Sequence, residues 1–436
     1  MDIWEEARFV QDGVASRLAP LLTRIMLGAE DGDGPAAADL PIRVRAWDGS
    51  TIGPAAAPAF VIRHRRALRR LLWKPGEMGL ARAYVAGELD IEGDVFAALG
   101  AVQRVMRSGD EPIRLSSDDK REIVRMAVTL GAVGPEPKPP PEEFRSGRRG
   151  ADDETGPLGA SAAFFTRLLG SGMAHGSGLW DGAVDLQAAQ RAALDSVAER
   201  LGLFPGARVL DLNCAWGALA CHLAEQHRVR VVGLTRSPGQ AEYVRERAAA
   251  AGLADRVEPR DRDLAAAGGG PYDAIVGLAG LEALGRDMPR LYELLAPGGR
   301  LLIQEPVRRP GQHQIRRTFT TSYMFPEDGE LRPLGEIVAE VEDAGLEVRG
   351  VTALREHHAR TLRAWAANLQ RHWAECIEHA GAGRARVWLL YLAASALACE
   401  SGRIGVHEIC AIRRDRDGRA GATMVEAFAV HADGAS

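Results

Sequence analysis

The chain has 436 residues, 46% hydrophobic and 26% charged, with 54 Lys and Arg against 59 Asp and Glu, a formal net charge of −5. At roughly 150 residues per domain this predicts two or three domains with room for buried cores. The composition excludes a disordered, collagenous or coiled-coil chain, and the mildly acidic total argues against a general nucleic-acid binder while leaving local basic patches open.

The opening MDIWEEARFVQD is acidic and broken, unlike a signal peptide. Trp4, Ala7, Val10, Val14, Leu18, Leu21, Leu22 and Ile25 then recur at helical spacing. Strand-like pieces follow in LPIRVRAWDGS and PAFVIRHR, the first ending on Asp48-Gly49, a hairpin-type turn signal. Residues 132–156 are rich in Pro, Gly and mixed charge without apolar periodicity, which predicts a linker. The division is therefore 1–131 as an N-terminal α+β domain, 132–156 as linker and 157–436 as a larger α/β domain.

From residue 157 the patterns alternate as in a mostly parallel α/β sheet. ARVLDL (207–212), VRVVGLT (229–235), VEPRDRD (257–263) and PYDAIVGL (271–278) predict strands. ALACHLAEQ and GQAEYVRERAAAAGLADR predict the helices between them. LYELLAPGGRLLIQEP predicts a helix end, a Gly-Gly stop and a strand. Beyond residue 361 Leu362, Trp365, Leu369 and Trp373 form one helical stripe, and VWLLYLAASALAC (387–399) predicts a buried core helix. No apolar run approaches the roughly 18 residues of a membrane-spanning helix. The cysteines at 214, 221, 376, 399 and 410 form neither a CxxC pair nor a disulfide scaffold. A reduced, cytoplasmic enzyme is expected.

The strand ending at Asp211 passes into Asn213-Cys214-Ala215-Trp216-Gly217 before a helix. Such a small-residue turn lets a ligand approach the backbone near a helix N-terminus, and it equally suits an ordinary strand–helix turn. Thr235, Ser237 and Gln240 at the second strand end offer hydroxyl and amide groups. Asp263 after the third offers a carboxylate for an adenine amine, or a solvated loop charge. This ordered series, with PGG before a later strand, resembles class I S-adenosylmethionine-dependent methyltransferases, a Rossmann-like fold. The resemblance implies S-adenosylmethionine as cofactor, its methionine part near the first turn, its ribose near the second strand end and its adenine near the third.

VLDLNCAWGALACHLAE, VVGLTRSPGQAEYVRERAAAAGLADRVE, MFPEDGELRPLGEIV and HHARTLRAWAANLQRHW resemble the cyclopropane-fatty-acyl-phospholipid synthase family. SGRIGVHEIC also fits, and residues 40–95 resemble that family's small lipid-domain-like N-terminal region. The resemblance implies methyl transfer to a cis double bond of a phospholipid acyl chain. Proton loss from the new methyl then closes a cyclopropane. It also implies a bicarbonate base held by a small polar cluster, whose positions here fall at Ser177, Glu282, Gln304 and His358.

The chain departs from that pattern. Ser177 stands at the cysteine position of the loop His175-Gly176-Ser177-Gly178-Leu179, and Leu281-Glu282-Ala283 keeps only the Glu. Gln304 replaces a His and His358 a Tyr, and the entry segment Pro157-Leu158-Gly159 keeps no polar group. In the cofactor turn Asn213, Ala215 and Ala218 stand for glycines, while Gly217 remains. Asn tolerates the left-handed region at little cost, whereas Ala215 adds a methyl where the backbone should touch the ligand. On residues alone, Glu282 reads as a helix-surface acid and His357-His358 as a solvated pair. No histidine spacing suits a metal.

An altered base site allows a methylene-branched product. Further alternatives are a catalytically impaired paralogue that binds lipid or a partner methyltransferase, and a small-molecule methyltransferase on the same scaffold. VIRHRRALRRLLWK (61–74) sets basic residues among apolar ones and a Trp, which suits either anionic lipid or a water-facing element. Arg308, Arg309, Arg316 and Arg317 form a second cluster able to hold phosphate. The expected partner is a phospholipid membrane surface at the inner face of the membrane, with no nucleic acid and with a homodimer left open.

Overall fold

The computed structural model describes residues 13–27, 40–74, 76–105, 117–144, 161–235, 237–261, 264–278, 287–311, 318–325, 331–415 and 417–418. The chain divides into two compact units. The first comprises Met1–Arg148, Arg317–Pro326 and Gly381–Leu397. The second comprises Arg149–Arg316, Glu327–Ala380 and Ala398–Ser436.

The first unit contains α1 (Val14–Leu27), β1 (Arg43–Arg45), β2 (Thr51–Ile52), β3 (Ala59–Ile62), α2 (Arg66–Trp73), α3 (Glu77–Val85), β4 (Leu89–Glu92), α4 (Val95–Val105) and α5 (Ser117–Thr129). Its sheet has the order β2-β1-β3-β4. Asp48-Gly49 makes the turn between antiparallel β1 and β2, with Gly49 at φ +84°. The Asp48 carboxylate also accepts from the Val14 backbone N–H at 2.8 Å, which fixes the start of α1. Trp4, Ala7 and Val10 of the expected helical pattern lie in residues 1–12, outside the described residues. Leu18, Val44, Phe60, Ile62, Ala83, Leu89 and Leu130 form this unit's core.

The linker expectation needs correction over 132–144. Ala132 is buried, and Glu143 is buried with both oxygens on Arg82, at 2.7 and 2.8 Å. Pro and Gly signal a lack of regular structure here, not a lack of packing. The contacts also draw two pieces of the expected 157–436 domain into the first unit. In α11 (Phe319–Tyr323) the Tyr323 hydroxyl donates to Glu143 at 3.0 Å. In α15 (Ala382–Glu400) Arg386 pairs with Asp90 at 3.2 Å. The latter helix contains the 387–399 run, whose Val387, Trp388, Leu392, Ala393 and Ala396 are buried as expected. Among the described residues no helix is long and apolar enough to cross a membrane.

The second unit begins with α6 (Ala162–Leu169) and α7 (Leu186–Leu201). Alternation then runs through β5 (Arg208–Asp211), α8 (Ala218–His227), β6 (Arg230–Thr235), α9 (Pro238–Ala250), β7 (Val257–Asp261), β8 (Tyr272–Leu278), α10 (Met288–Leu294) and β9 (Leu295–Arg308). It closes with α12 (Leu334–Asp343), β10 (Glu347–Ala353), α13 (Arg355–Arg371), α14 (Trp373–Ala380) and β11 (Ile404–Ile412). The seven strands lie in the order β10-β11-β9-β8-β5-β6-β7. β9, β8, β5, β6 and β7 run parallel, while β11 is antiparallel to both β9 and β10.

Both faces of this sheet are covered. Val209, Ala274, Val276 and Leu302 join one core cluster with α7 and α8, and Leu210, Ile275, Leu301 and Ile303 join another with α10 and α12. That is why these strands read as continuous apolar runs. One boundary differs from expectation: α10 has ended by Leu294, so Gly298-Gly299 lie within β9 and do not stop the helix. Gly298 N–H instead donates to the Arg413 carbonyl at 2.7 Å. The strand order reverses beside β5, and a reversal of this kind opens a crevice at the strands' carboxyl ends.

Candidate active site

Asp211 ends β5 at that reversal and is 1% exposed. Its Oδ1 accepts from the Asn213 N–H at 3.1 Å, while Oδ2 is buried without a hydrogen-bond partner among the described residues. Burial pushes this carboxyl up to about 7, against a smaller lowering by the Asn213 bond. The following turn is pinned by Cys214 N–H donating to Leu234 O at 2.9 Å and Asn213 Nδ2 donating to Leu278 O at 3.3 Å. Ala215 sits at φ +46°, a region that disfavours a Cβ. Gly217 caps α8 at φ +75°, and a Cβ there would lie 3.1 Å from Val244 of α9. This glycine is thus required twice, by its backbone and by the close approach of α9. Asp211, Asn213, Cys214, Ala215, Ala218 and Leu278 line a recess over this turn together with Met173, Ala174 and His175.

A second recess shares Ala174, His175, Leu194 and Leu278 with the first. Its polar wall comprises Ser177, Gln190, Arg200, Gln304 and Glu408. Gln304 is 5% exposed, and its Oε1 accepts from the Ser177 backbone N–H at 2.9 Å. Gly176, at φ +93°, lets the loop come this close, since a Cβ would meet that oxygen at 3.1 Å. The loop's far end is held by α13. Thr361 Oγ1 accepts from both Gly178 N–H and Trp180 Nε1 at 3.0 Å, and His357 Nδ1 accepts from Trp180 N–H at 3.0 Å.

Glu408 lies directly across the β9–β11 ladder from Gln304. Glu408 is 4% exposed, and its Oε1 takes a short hydrogen bond from Arg200 of α7. Burial raises its carboxyl above the usual range, and Arg200 counters that rise.

The structure therefore brings Ser177 and Gln304 together, and separately gathers Asp211, Asn213, Ala215 and Gly217. Ser177 meets Gln304 through its backbone, because its hydroxyl donates to the Gly178 carbonyl at 3.3 Å. Thr235 donates to the Arg260 carbonyl at 3.0 Å, and Ser237 caps α9 by accepting from Gln240 N–H at 3.2 Å. Both hydroxyls thus hold the second strand end in shape, and Gln240 behind them is 3% exposed. His358 is half-buried on α13, not in a solvated loop. Its Nδ1 is buried without a hydrogen-bond partner among the described residues, and desolvation lowers its pKa to about 4. Glu282 and Asp263 lie outside the described residues, as do Arg316, Arg317 and the segment 157–159. The residue patterns missed Glu408, Arg200 and Thr361. The signal for Glu408 was a lone acid in the apolar strand IGVHEICAI, where every strand neighbour on its face must be accommodated.

A profile of the family described as mycolic acid cyclopropane synthetase matches residues 157–409. The chain belongs to that family. Among the family's relatives, a probable fatty acid methyltransferase of Mycobacterium tuberculosis is 32% identical over 405 residues, spanning 87% of this chain and 92% of its own. The cyclopropane synthase MmaA2 of the same organism matches with a TM-score of 0.54 at 26% identity, over 58% of this chain and 95% of its own. Mycolic acid cyclopropane synthase CmaA1, solved with SAH (S-adenosylhomocysteine) and CTAB, gives 0.53 at 25% identity, over 58% and 94%. This mycolic acid cyclopropane synthetase family member has the α/β, class I S-adenosylmethionine-dependent methyltransferase fold.

Proposed function

We propose that this protein transfers a methyl group from S-adenosylmethionine to the cis double bond of a phospholipid acyl chain, forming a cyclopropane fatty acid. The observation that carries the reading is the pair of adjoining recesses, one built on Asp211 at the strand reversal and one walled by Gln304 and Glu408. The residues of the first recess fit the cofactor. The unpartnered Asp211 Oδ2 and the Gly217 helix terminus offer polar contacts, while Ala215 narrows the turn by one methyl. Asp211, Asn213 and Gly217 would hold the methionine part, with Gln240 and Asp263 toward the ribose and adenine. When bound, the cofactor supplies an electrophilic methyl on a sulfonium. The protein's part is to exclude water, orient the acyl chain and receive one proton. Bicarbonate, held by Ser177, Glu282, Gln304 and His358, is one candidate for that proton; a group of the chain itself is another.

The substituted cluster favours a second reading of the product, a methylene-branched chain formed when a hydride shift moves the cation onto the methyl-bearing carbon before the methyl proton is lost. The 32%-identical relative is named a probable fatty acid methyltransferase, a name that fits either product. The proposed partner is a phospholipid surface. Calorimetric titration with S-adenosylmethionine is expected to show binding, and no binding at millimolar ligand would favour a non-catalytic paralogue. Expression in a cyclopropane-deficient bacterium, followed by fatty-acid mass spectrometry, then separates ring, methylene branch and unmodified chain.

A further inference from the structure

We infer that Glu408 is the built-in general base of this site, its free Oε2 taking the proton that methylation of the acyl chain releases. The inference rests on the functional reading above and names the group that completes it. Three observations converge. Glu408 is a carboxylate 4% exposed on the wall of a recess that adjoins the Asp211 recess. Its two contacts, from Arg200 Nη1 and from Cys410 Sγ at 3.9 Å, both fall on Oε1, leaving Oε2 without a hydrogen bond among the described residues. Gln304, its cross-strand neighbour, spends Oε1 on the Ser177 N–H, and its Nε2 donates to no described residue.

A carboxylate oxygen and an amide donor on the same wall thus make no hydrogen bond to a described residue. Arg200, which also donates to Thr352 Oγ1 at 3.3 Å, fixes one carboxylate oxygen and keeps the group from turning.

The step balances as follows. Addition of the methyl to one alkene carbon leaves a cation on its neighbour. A C–H bond of the new methyl breaks, its electron pair forms the second ring bond, and the proton passes to Glu408 Oε2. A 1,2-hydride shift that carries the cation onto the methyl-bearing carbon, followed by loss of a methyl proton to Glu408 Oε2 with formation of a C=C bond, instead gives the methylene branch through the same carboxylate.

The test uses the full chain, S-adenosylmethionine and dioleoylphosphatidylglycerol vesicles, with no added bicarbonate. Glu408→Gln is expected to lower methyl transfer at least about 100-fold, in the range of a lost general base, while calorimetric binding of S-adenosylmethionine is retained. Glu408→Asp keeps the charge and is expected to fold and recover part of the rate. Formate added to Glu408→Ala is expected to restore turnover, which a purely structural carboxylate would not allow. A second readout needs no turnover: cetyltrimethylammonium, a long-chain cation, should bind wild type several-fold more tightly than Glu408→Gln. Full turnover in Glu408→Gln, or a wild-type rate that depends on bicarbonate and is indifferent to residue 408, overturns the assignment. A wild type that binds the ammonium selectively but methylates no lipid overturns the functional reading and keeps the site.

Discussion

Asp211 and Ala215 each sit at odds with their surroundings. The Asp211 carboxyl titrates near 7 in the folded chain because burial opposes its charge, whereas the unfolded chain ionises it near 3.8. Between these values the folded state holds a proton that the unfolded state has lost, so stability falls as pH rises from about 4 to 7. Asp211→Asn removes that dependence. Its thermal unfolding should match wild type near pH 4 and exceed it by up to about 4 kcal/mol at pH 8 without cofactor. A parallel decline of both proteins with pH would mean that Asp211 stays ionised when folded. Ala215 carries a side chain in left-handed backbone, a conformation that costs an L-residue roughly 1–2 kcal/mol. Ala215→Gly should raise stability by about 1 kcal/mol in denaturant titration and tighten S-adenosylmethionine binding. Weaker binding would show that the methyl packs against the cofactor.

The far end of the loop 175–180 is held by two side chains of a helix far away in sequence, His357 and Thr361. Thr361 is fully buried and satisfies Gly178 N–H and Trp180 Nε1, while its own hydroxyl donates to the His357 carbonyl at 2.8 Å. Thr361→Val keeps the shape and strands two donors, each worth about 1–3 kcal/mol when left unmet. A loss of about 3 kcal/mol is expected, with a shift in Trp180 fluorescence; an unmoved spectrum would mean the loop is held elsewhere. This coupling also marks where sequence reading stopped. The strands β5, β6, β7 and β8 were legible because each is a short apolar run bounded by turn residues, and the order of polar strand ends pointed to the cofactor turn. Thr361 and Glu408 were not, since their roles arise from partners 183 and 208 residues away in sequence, the loop at Gly178 and Arg200 of α7. Thr235 and Ser237 looked like ligand groups because spacing alone cannot tell a hydroxyl that caps a helix from one that meets a ribose.

The whole chain is mildly acidic, yet its basic residues are nearly all Arg, with 3 Lys among 54. Arg is the better partner for both carboxylate and phosphate. In the basic stretch 61–74 carboxylates have taken three of the six Arg and Lys. Arg63 pairs with Asp90, Arg66 and Arg70 with Glu88, and Arg70 is 7% exposed. The stretch is therefore only partly the basic face that its sequence suggests. Arg65 and Lys74 are exposed without an ion pair among the described residues, Arg69 donates to the Ala132 carbonyl, and Trp73 is 50% exposed beside them.

If an anionic bilayer is the proposed partner, these three cations should carry the attraction, at about 1 kcal/mol each. The triple variant Arg65→Ser, Arg69→Ser, Lys74→Ser should lose about 100-fold in affinity for phosphatidylglycerol vesicles, keep its melting temperature within a few degrees, and show a weaker dependence on salt. Arg70→Ser should behave in the opposite way. It leaves Glu88 buried with only the half-exposed Arg66, which predicts a loss of about 3 kcal/mol in stability with vesicle affinity of the folded fraction unchanged. Equal vesicle binding by the triple variant and wild type would exclude this face as the lipid contact. A loss of binding in Arg70→Ser alone would mean that docking depends on the shape of the first unit and not on its free charge.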